Sequence, residues 1–401
     1  GRMPGARVYV VGTCDTKGDE LRFACDCVKR AGAKPVLVDV STASPDPDAD
    51  VTAEIVAGHH PKGKGAVLGR TDRGEAVTAM AEALTRYLLS RKDIGAVLGL
   101  GGSGNTAIVT EAMRALPVGV PKLMVSTLAS GNVAGFVGPT DIMMLHAVTD
   151  IAGLNAISRT VIGNAANAAA GMARTRVPKS RKGKRAIGYT MFGVTTACIG
   201  EIRKRLEPAS ESFVFHATGT GGQSFEKLAE SGFFDAVFDI TTTEVADFLV
   251  GGVLACTADR FGAFIRHPIP YVGSVGACDM VNFGPRDTVP AQFASRKFHI
   301  HNPHVTLMRT TPEENARIGA FIVERLNRMT GPVRFLLPLK GVSAIDAAGQ
   351  PFHDPAADAA LFEAIRGGWK KARNRKLIEL DLTINDPAFA AAAVKALNEI
   401  S

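Results

Sequence analysis

IGAVLGLGGSGNTAIVTE, residues Ile94–Glu111, is the stretch from which the fold class is read. Ile94 to Leu100 is an apolar run with the length and composition of a strand buried on both faces. Gly99, Gly101, Gly102 and Gly104 follow with Ser103 among them. Thr106–Met113 then resumes apolar spacing at i, i+3 and i+4, the period of a helix packed on a sheet. Strand, glycine loop and helix start, in that order, make an anion site. Glycine lets the backbone approach an anion closely, and the free amides and positive dipole end of the new helix face it. GLGGSGN matches neither the P-loop, which needs GxxxxGK[ST], nor the dinucleotide fingerprint GxGxxG. A tight strand-to-helix turn with no ligand is therefore the alternative reading.

The chain repeats the device, which favours the ligand. Arg7–Gly12 is a short β-branched strand running into Thr13-Cys14-Asp15-Thr16-Lys17-Gly18, with a helix expected over Asp19–Arg30. Thr13, Thr16 and Lys17 bring hydroxyls and a positive charge to a helix N-terminus, which suits a phosphate. Asp15 suits a metal ion, a sugar hydroxyl or a helix cap. A second strand, Lys34–Val40, carries Asp39, near the spacing at which an acid holds a ribose hydroxyl in dinucleotide folds. Residues 41–73 are a polar excursion rich in proline and glycine, and Gly74–Ser90 reads as an amphipathic helix. Val120–Ser126 is a strand followed by Thr127, Ile142–Val148 another, and Ile157–Met172 an alanine-rich helix that offers one contact surface for an oligomer.

Past a basic run the pattern restarts. Arg185–Thr190 leads into Thr195 and Thr196, Phe213–Ala217 into Thr218, Gly221 and Gly222, and Pro270–Val275 into Asp279. Ala236–Thr241, Val305–Thr310, Phe335–Leu339 and Leu377–Thr383 read as further strands, and Pro387–Ile400 as the last helix. Strands alternating with helices in both halves argue for two Rossmann-like, doubly wound α/β domains with mainly parallel sheets and a cleft between them. The expected division is a nucleotide-binding domain over residues 3–173, a basic linker over 174–185 and a second domain over 186–401. Ligands of such sheets lie beyond the carboxyl ends of the strands. Thr195, Thr196, Thr218, Gly221, Gly222 and Ser343 are accordingly expected to line a second, substrate pocket, with Asp279 as its acid and His301 as its base.

Composition narrows the function classes. A chain of 401 residues exceeds one typical core, and 46% hydrophobic with 21% charged residues fits a globular protein. Much of the +7 net charge lies in Arg174–Arg185, which has no interleaved aromatics and reads as a solvated linker, not a nucleic-acid surface. The 6 cysteines show no CxxC pair and fit reduced thiols of a cytoplasmic protein. No apolar run reaches the roughly 18 residues of a membrane span, no signal peptide is evident, and Gly1-Arg2 before Met3 reads as a cloning remnant. His299 and His301 would share a strand face near His304, but without HExxH or a cysteine pair no metal site is expected.

Longer motifs carry a resemblance. GTCDTKGDE (Gly12–Glu20), LGLGGSGNT (Leu98–Thr106), LPVGVPKLMVST (Leu116–Thr127) and DIAGLN (Asp150–Asn155) are similar to the first domain of a largely uncharacterised family. MFGVTTACI (Met191–Ile199), HATGTGG (His216–Gly222), CDMVNFG (Cys278–Gly284), HNPHVTLMRTT (His301–Thr311), LPLKGVS (Leu337–Ser343) and INDP (Ile384–Pro387) resemble its second. The family includes the ATP-binding N-terminal region of a plant tobamovirus-resistance protein. The resemblance implies two Rossmann-like domains, homo-oligomerisation and ATP, alone or with Mg2+. It sets the nucleotide phosphates near Gly12–Gly18 and Gly101–Gly104. Asn105 stands where the family is expected to carry glycine, and Ala197 where it is expected to carry proline; asparagine tolerates a left-handed backbone better than most residues. In plants the region is fused to a barrel domain resembling phosphoenolpyruvate-handling enzymes, so a separate barrel-type enzyme partner is expected here.

Two function classes follow. One is an ATP- or nucleotide-binding enzyme acting on a small metabolite between the domains, with Asp15, Lys17, Asp279, His301 and Lys340 as its charged candidates. The other is a non-catalytic, nucleotide-dependent binding or sensor protein. An NAD-linked oxidoreductase rests on Asp39 and the fold alone and ranks third.

Overall fold

The computed structural model describes residues 6–178 and 183–401, which form two compact units. The first contains β1 (Arg7–Gly12), α1 (Cys14–Arg30), β2 (Lys34–Asp39), α2 (Ala53–Ala57), α3 (Arg73–Leu89), β3 (Ile94–Gly101), α4 (Ser103–Ala115), β4 (Lys122–Ser126), α5 (Ala134–Val137), β5 (Met143–His146) and α6 (Ala156–Arg174). Its parallel sheet has the order β2-β1-β3-β4-β5. Side chains alternate across each strand: Tyr9 and Val11 pack with α2, α3 and α4, whereas Val8 and Val10 pack with α1 and α6. Both faces are covered, which is why the strands read as unbroken apolar runs. The alanines of α6 (Ala165, Ala166, Ala169, Ala170) are buried in this packing, so the apolar face proposed as an oligomer contact belongs to the unit's own core.

The second unit contains β6 (Arg185–Met191), α7 (Thr196–Leu206), β7 (Ser210–His216), α8 (Thr220–Glu230), β8 (Ala236–Thr241), α9 (Glu244–Val250), α10 (Gly262–Arg266), β9 (Tyr271–Gly276), β10 (Met280–Phe283), β11 (Phe298–Asn302), β12 (Val305–Arg309), α11 (Pro312–Arg328), β13 (Val333–Pro338), α12 (Pro355–Gly368), β14 (Arg375–Leu380) and α13 (Pro387–Ile400). Its main sheet is parallel, in the order β14-β13-β9-β8-β6-β7. α7 and α13 cover one face, while α8, α11 and α12 cover the other.

Two features depart from the expected chain of parallel strands. β12 does not join the main sheet: it is the middle of a three-stranded antiparallel sheet, β10-β12-β11. Ala277, at φ 59, turns the chain out of β9 into β10 and starts that excursion. α12 was not foreseen, although Asp354 caps it and Pro355 opens its first turn. The basic run also shrinks as a linker. Arg174 is the last residue of α6 and Arg185 the first of β6, while 179–182 lie outside the described residues.

Candidate functional site

β1 has β2 on one side and β3 on the other, so the first unit's topological switch point lies where β1 and β3 end. A cavity of about 590 Å3 sits there. It is lined by the β1 loop (Thr13, Asp15, Thr16, Lys17) and the β3 loop (Gly101, Gly102, Ser103, Gly104, Asn105). The two glycine and hydroxyl loops singled out in the sequence thus meet at one site.

The β3 loop meets the requirements for holding an anion. Gly102 is the N-cap of α4, and no side chain caps that helix. The first amide of α4 with a backbone acceptor is that of Thr106, bonded to the Gly102 carbonyl at 2.9 Å. The preceding turn of amides and the positive end of the helix dipole therefore border the cavity. Gly99 brings α4 down onto the sheet: a Cβ there would stand 2.5 Å from the Met124 sulfur and 2.8 Å from Val109 Cγ1. Ser126 supports the same turn from below. It is buried, its Oγ lies 2.7 Å from Thr106 Oγ1, and it accepts from the Leu128 amide at 3.1 Å. Thr127, half-buried, donates its amide to the Gly101 carbonyl at 3.3 Å. Ser126 is thus a buttress and not a ligand group, which corrects its expected role.

Asn105 is helical and lies on the cavity wall, so the left-handed tolerance invoked for it is not needed. Its Nδ2 donates to the Leu100 carbonyl, which fixes the amide orientation because a carbonyl only accepts. Oδ1 is left buried with no described donor.

On the β1 side, α1 is interrupted at Lys17 (φ −129, ψ 23), which separates its first turn from the regular helix beyond. The Lys17 ammonium donates to the Ile151 carbonyl while its side chain lines the cavity. Thr13 and Thr16 share a hydrogen bond of 2.7 Å between hydroxyls, and Asp15 Oδ2 accepts from the Ser44 amide at 3.4 Å. Gly12 and Gly18 do not reach the cavity. Gly12 is buried where a Cβ would meet Leu21 Cδ2 at 2.7 Å, and Gly18 faces Arg22.

Asp39 is also corrected. It is fully buried, and its carboxylate accepts from the Cys14 amide at 3.0 Å, the Ser41 amide at 2.9 Å and the Asp46 amide at 2.8 Å. It caps α1 and organises the turn after β2, and it lies beneath the cavity's lining instead of on it, away from any ribose. Sequence reasoning missed Arg70 and Arg73, which line the cavity opposite the glycines. A Cβ on Gly104 would lie 3.9 Å from an Arg73 guanidinium nitrogen, and Arg70 pairs with Glu75 at 3.1 Å. Lys17, Arg70 and Arg73 outnumber the single lining acid, Asp15.

In the second unit the expected pocket residues are occupied among themselves. The Gly219 and Gly222 amides both donate to Glu244 Oε2, at 2.5 and 3.1 Å. A Cβ on Gly222 would come within 2.0 Å of Glu244 Oε1, and one on Gly221 within 1.7 Å of the His216 carbonyl. The HATGTGG loop therefore holds an anion, but one supplied by its own chain. Glu244 is bonded in turn to Arg260 at 3.1 Å, whose guanidinium also grips Asp239 through two bonds of 2.9 and 2.7 Å and reaches Glu226 at 3.2 Å. Burial, the leading cause, pushes the Glu226 carboxyl up to about 7 and raises Glu244 as well, with Arg260 opposing both. Thr195 is buried against Thr241 at 2.9 Å, Thr196 bonds the Phe192 and Gly193 carbonyls, and Thr218 bonds back to His216.

The expected chemistry at Asp279 does not fit its surroundings. Asp279 is fully buried; its Oδ2 accepts from Ser343 Oγ at 2.7 Å, and its Oδ1 has no described partner. Burial pushes this carboxyl up to about 6 against the opposing field of Arg309, which pairs with Asp346 and Asp358. His301 is exposed on β11, an edge strand, so the acid and the base it was to serve do not share a surface. Lys340 is exposed and lies 3.9 Å from Asp381. Among the described residues no three metal-ligating side chains gather, and no helix is long and apolar enough to cross a membrane.

Known proteins resemble the chain along nearly its whole length. The UPF0261 protein RA0729 of Rhizobium meliloti is 54% identical over 395 residues, covering 98% of this chain and 99% of that one. A UPF0261 protein of Clostridium tetani is 42% identical, with 98% of each chain covered. The ToMV resistance protein Tm-1(GCR237) of Solanum lycopersicum is 42% identical over 424 residues, and there the match covers 98% of this chain but only 56% of the tomato protein. The models of the uncharacterised family's N- and C-terminal domains match residues 6–178 and 184–401. With both of its domains present in their proper order, the chain belongs to the uncharacterised protein family UPF0261.

Proposed function

We propose that the first unit binds the polyphosphate of a nucleotide, ATP, in the cavity between the β1 and β3 loops. The observation that carries this reading is the convergence of an uncapped helix N-terminus with Lys17, Arg70 and Arg73 on one cavity at the switch point. Three cations and a row of amides suit a ligand with several negative charges. Asp15, exposed on the same lining, suits its counterion or its sugar: the carboxylate can accept from a hydrated Mg2+ or from a ribose hydroxyl.

A catalytic role on a small metabolite and a non-catalytic nucleotide-sensing role both build on this site. The burial of Asp279 and the self-occupied Gly219–Gly222 loop favour the sensing role. The NAD-linked reading loses its one residue, since Asp39 caps a helix. Homo-oligomers and a separate barrel-type partner complete the proposal, the latter because the tomato relative continues well beyond the matched region; light scattering of the pure chain, and of mixtures with a candidate partner, tests both.

Calorimetry with ATP and adenosine is the decisive experiment. Lys17→Ala is expected to weaken ATP at least about tenfold, roughly 1.4 kcal/mol, and to leave adenosine unchanged. Equal losses for both ligands would remove Lys17 from the phosphate site, and no ATP binding by the native chain would end the proposal.

A further inference from the structure

A second cavity, of about 440 Å3, lies along the groove between α3 and α4 and shares Val77 with the first. Ala107, Glu111 and Arg114 of α4 form one wall, and Asn132 and Phe136 of the segment around α5 form the other. Arg114 ties the walls together by donating to the Phe136 carbonyl at 2.7 Å. Glu111 accepts from no described residue, and partial burial raises its carboxyl above the usual range despite Arg114 nearby. Asn132 Oδ1 accepts from the Ala134 amide at 3.0 Å, which leaves its NH2 to donate elsewhere. Besides Arg114, which donates to Thr110 and Phe136, and the Thr78 and Thr110 hydroxyls, which donate to carbonyls of their own helices, the cavity therefore offers one carboxylate acceptor, one amide donor and one aromatic ring.

We propose that this cavity is a base subsite for a heterocycle bearing an exocyclic amine, with the amine donating to Glu111, a ring nitrogen accepting from Asn132 and Phe136 packing on the ring. The inference rests on the phosphate reading of the first cavity, because one ligand is to span both. The geometry permits that span. From Gly104, beside the proposed phosphates, to Glu111 the first wall is continuous α4, a rise of about 10 Å at 1.5 Å per residue. That is comparable with the distance from the phosphates of a nucleotide to its base. A keto group in place of the amine would set a carbonyl oxygen against the Glu111 carboxylate, two acceptors with no proton between them. The subsite therefore selects as well as binds.

Calorimetry with ATP, inosine triphosphate and inorganic tripolyphosphate tests the subsite separately from the phosphate site. The native chain is expected to bind ATP at least about tenfold more tightly than inosine triphosphate, the worth of one charge-assisted hydrogen bond. Glu111→Ala is expected to erase that preference while leaving tripolyphosphate affinity within about twofold. Ala107→Phe, which fills the cavity from a helical position with no charge change, is expected to weaken both nucleotides and spare tripolyphosphate. If the native chain binds all three ligands and neither variant changes their ratios, the subsite is wrong and the phosphate site stands. If the native chain binds none of them, the phosphate site is wrong and the subsite falls with it.

Discussion

Gly102 shows how closely a single residue can separate binding from folding. Its backbone is extended at φ −91, and a Cβ there would meet nothing nearer than Thr127 Oγ1, at 3.7 Å. A branched side chain is therefore compatible with the fold but stands at the edge of the cavity. Gly102→Val is expected to keep the melting temperature within a few degrees and to lower ATP affinity at least about tenfold. Unchanged affinity in the folded variant would remove the β3 loop from the site. At this scale the sequence was legible wherever a residue type answers to a local need. Gly101, Gly102, Ser103 and Lys17 lie where strand-loop-helix grammar sets them. Arg70 and Arg73 were not legible, because they follow a long polar excursion and reach the cavity only through the packing of α3 against α4. Glu244 was hidden for a similar reason: nothing local ties it to glycines more than 20 residues earlier.

Among the elements, α1 depends most on a distant side chain. Its N-cap, Thr13, makes no side-chain cap bond, and the Asp39 carboxylate at the end of β2 takes over that work at the Cys14 amide. Asp39→Ala would leave the amides of Cys14, Ser41 and Asp46 without their acceptor. A loss of about 2 kcal/mol or more in a denaturant titration is expected. Asp39→Asn, which keeps one acceptor oxygen, should lose about half of that. ATP affinity measured on the folded variants is expected to stay within about threefold of the native value, under 1 kcal/mol. A selective loss of ATP by a stable Asn variant would restore Asp39 to the ribose and overturn the capping role. Element types were well read where apolar period and caps agree, as in α13, whose limits match the sequence reading. The antiparallel layer escaped because β10, β11 and β12 are short and take their meaning from pairing, which no single segment encodes.

For the molecule as a whole, the buried acids of the second unit make stability depend on pH. Glu226 faces Arg260 and Asp239, with Glu244 on the far side of the same guanidinium. Its carboxyl is raised in the fold from 4.5 to about 7, burial being the leading cause. A carboxyl raised on folding binds its proton more tightly in the native chain than in the unfolded one. Its contribution is therefore complete below about pH 4.5 and is lost as pH rises through 7. Glu226→Gln mimics the protonated acid at every pH. Relative to the native protein it is expected to gain about 2 kcal/mol between pH 5 and pH 8, measured as the difference between the two denaturation curves. A constant difference across that range would show that Glu226 stays ionised beside Arg260.

The Gly219–Gly222 loop and its resident carboxylate bear on what each unit can respond to. Glu244 is tethered to the amides that it fills, so it meets them at the high effective concentration that a covalent link confers. A dissolved phosphate would have to outcompete a rival that never diffuses away. It would also leave Arg260 facing one carboxylate fewer. Duplicated loop grammar thus yields opposite situations: the loop of the first unit borders an open cavity, so an anion held there would have to come from solution, while that of the second is filled by a carboxylate of its own chain. A titration that follows backbone amide signals should find the two loops equally well formed and only one of them responsive.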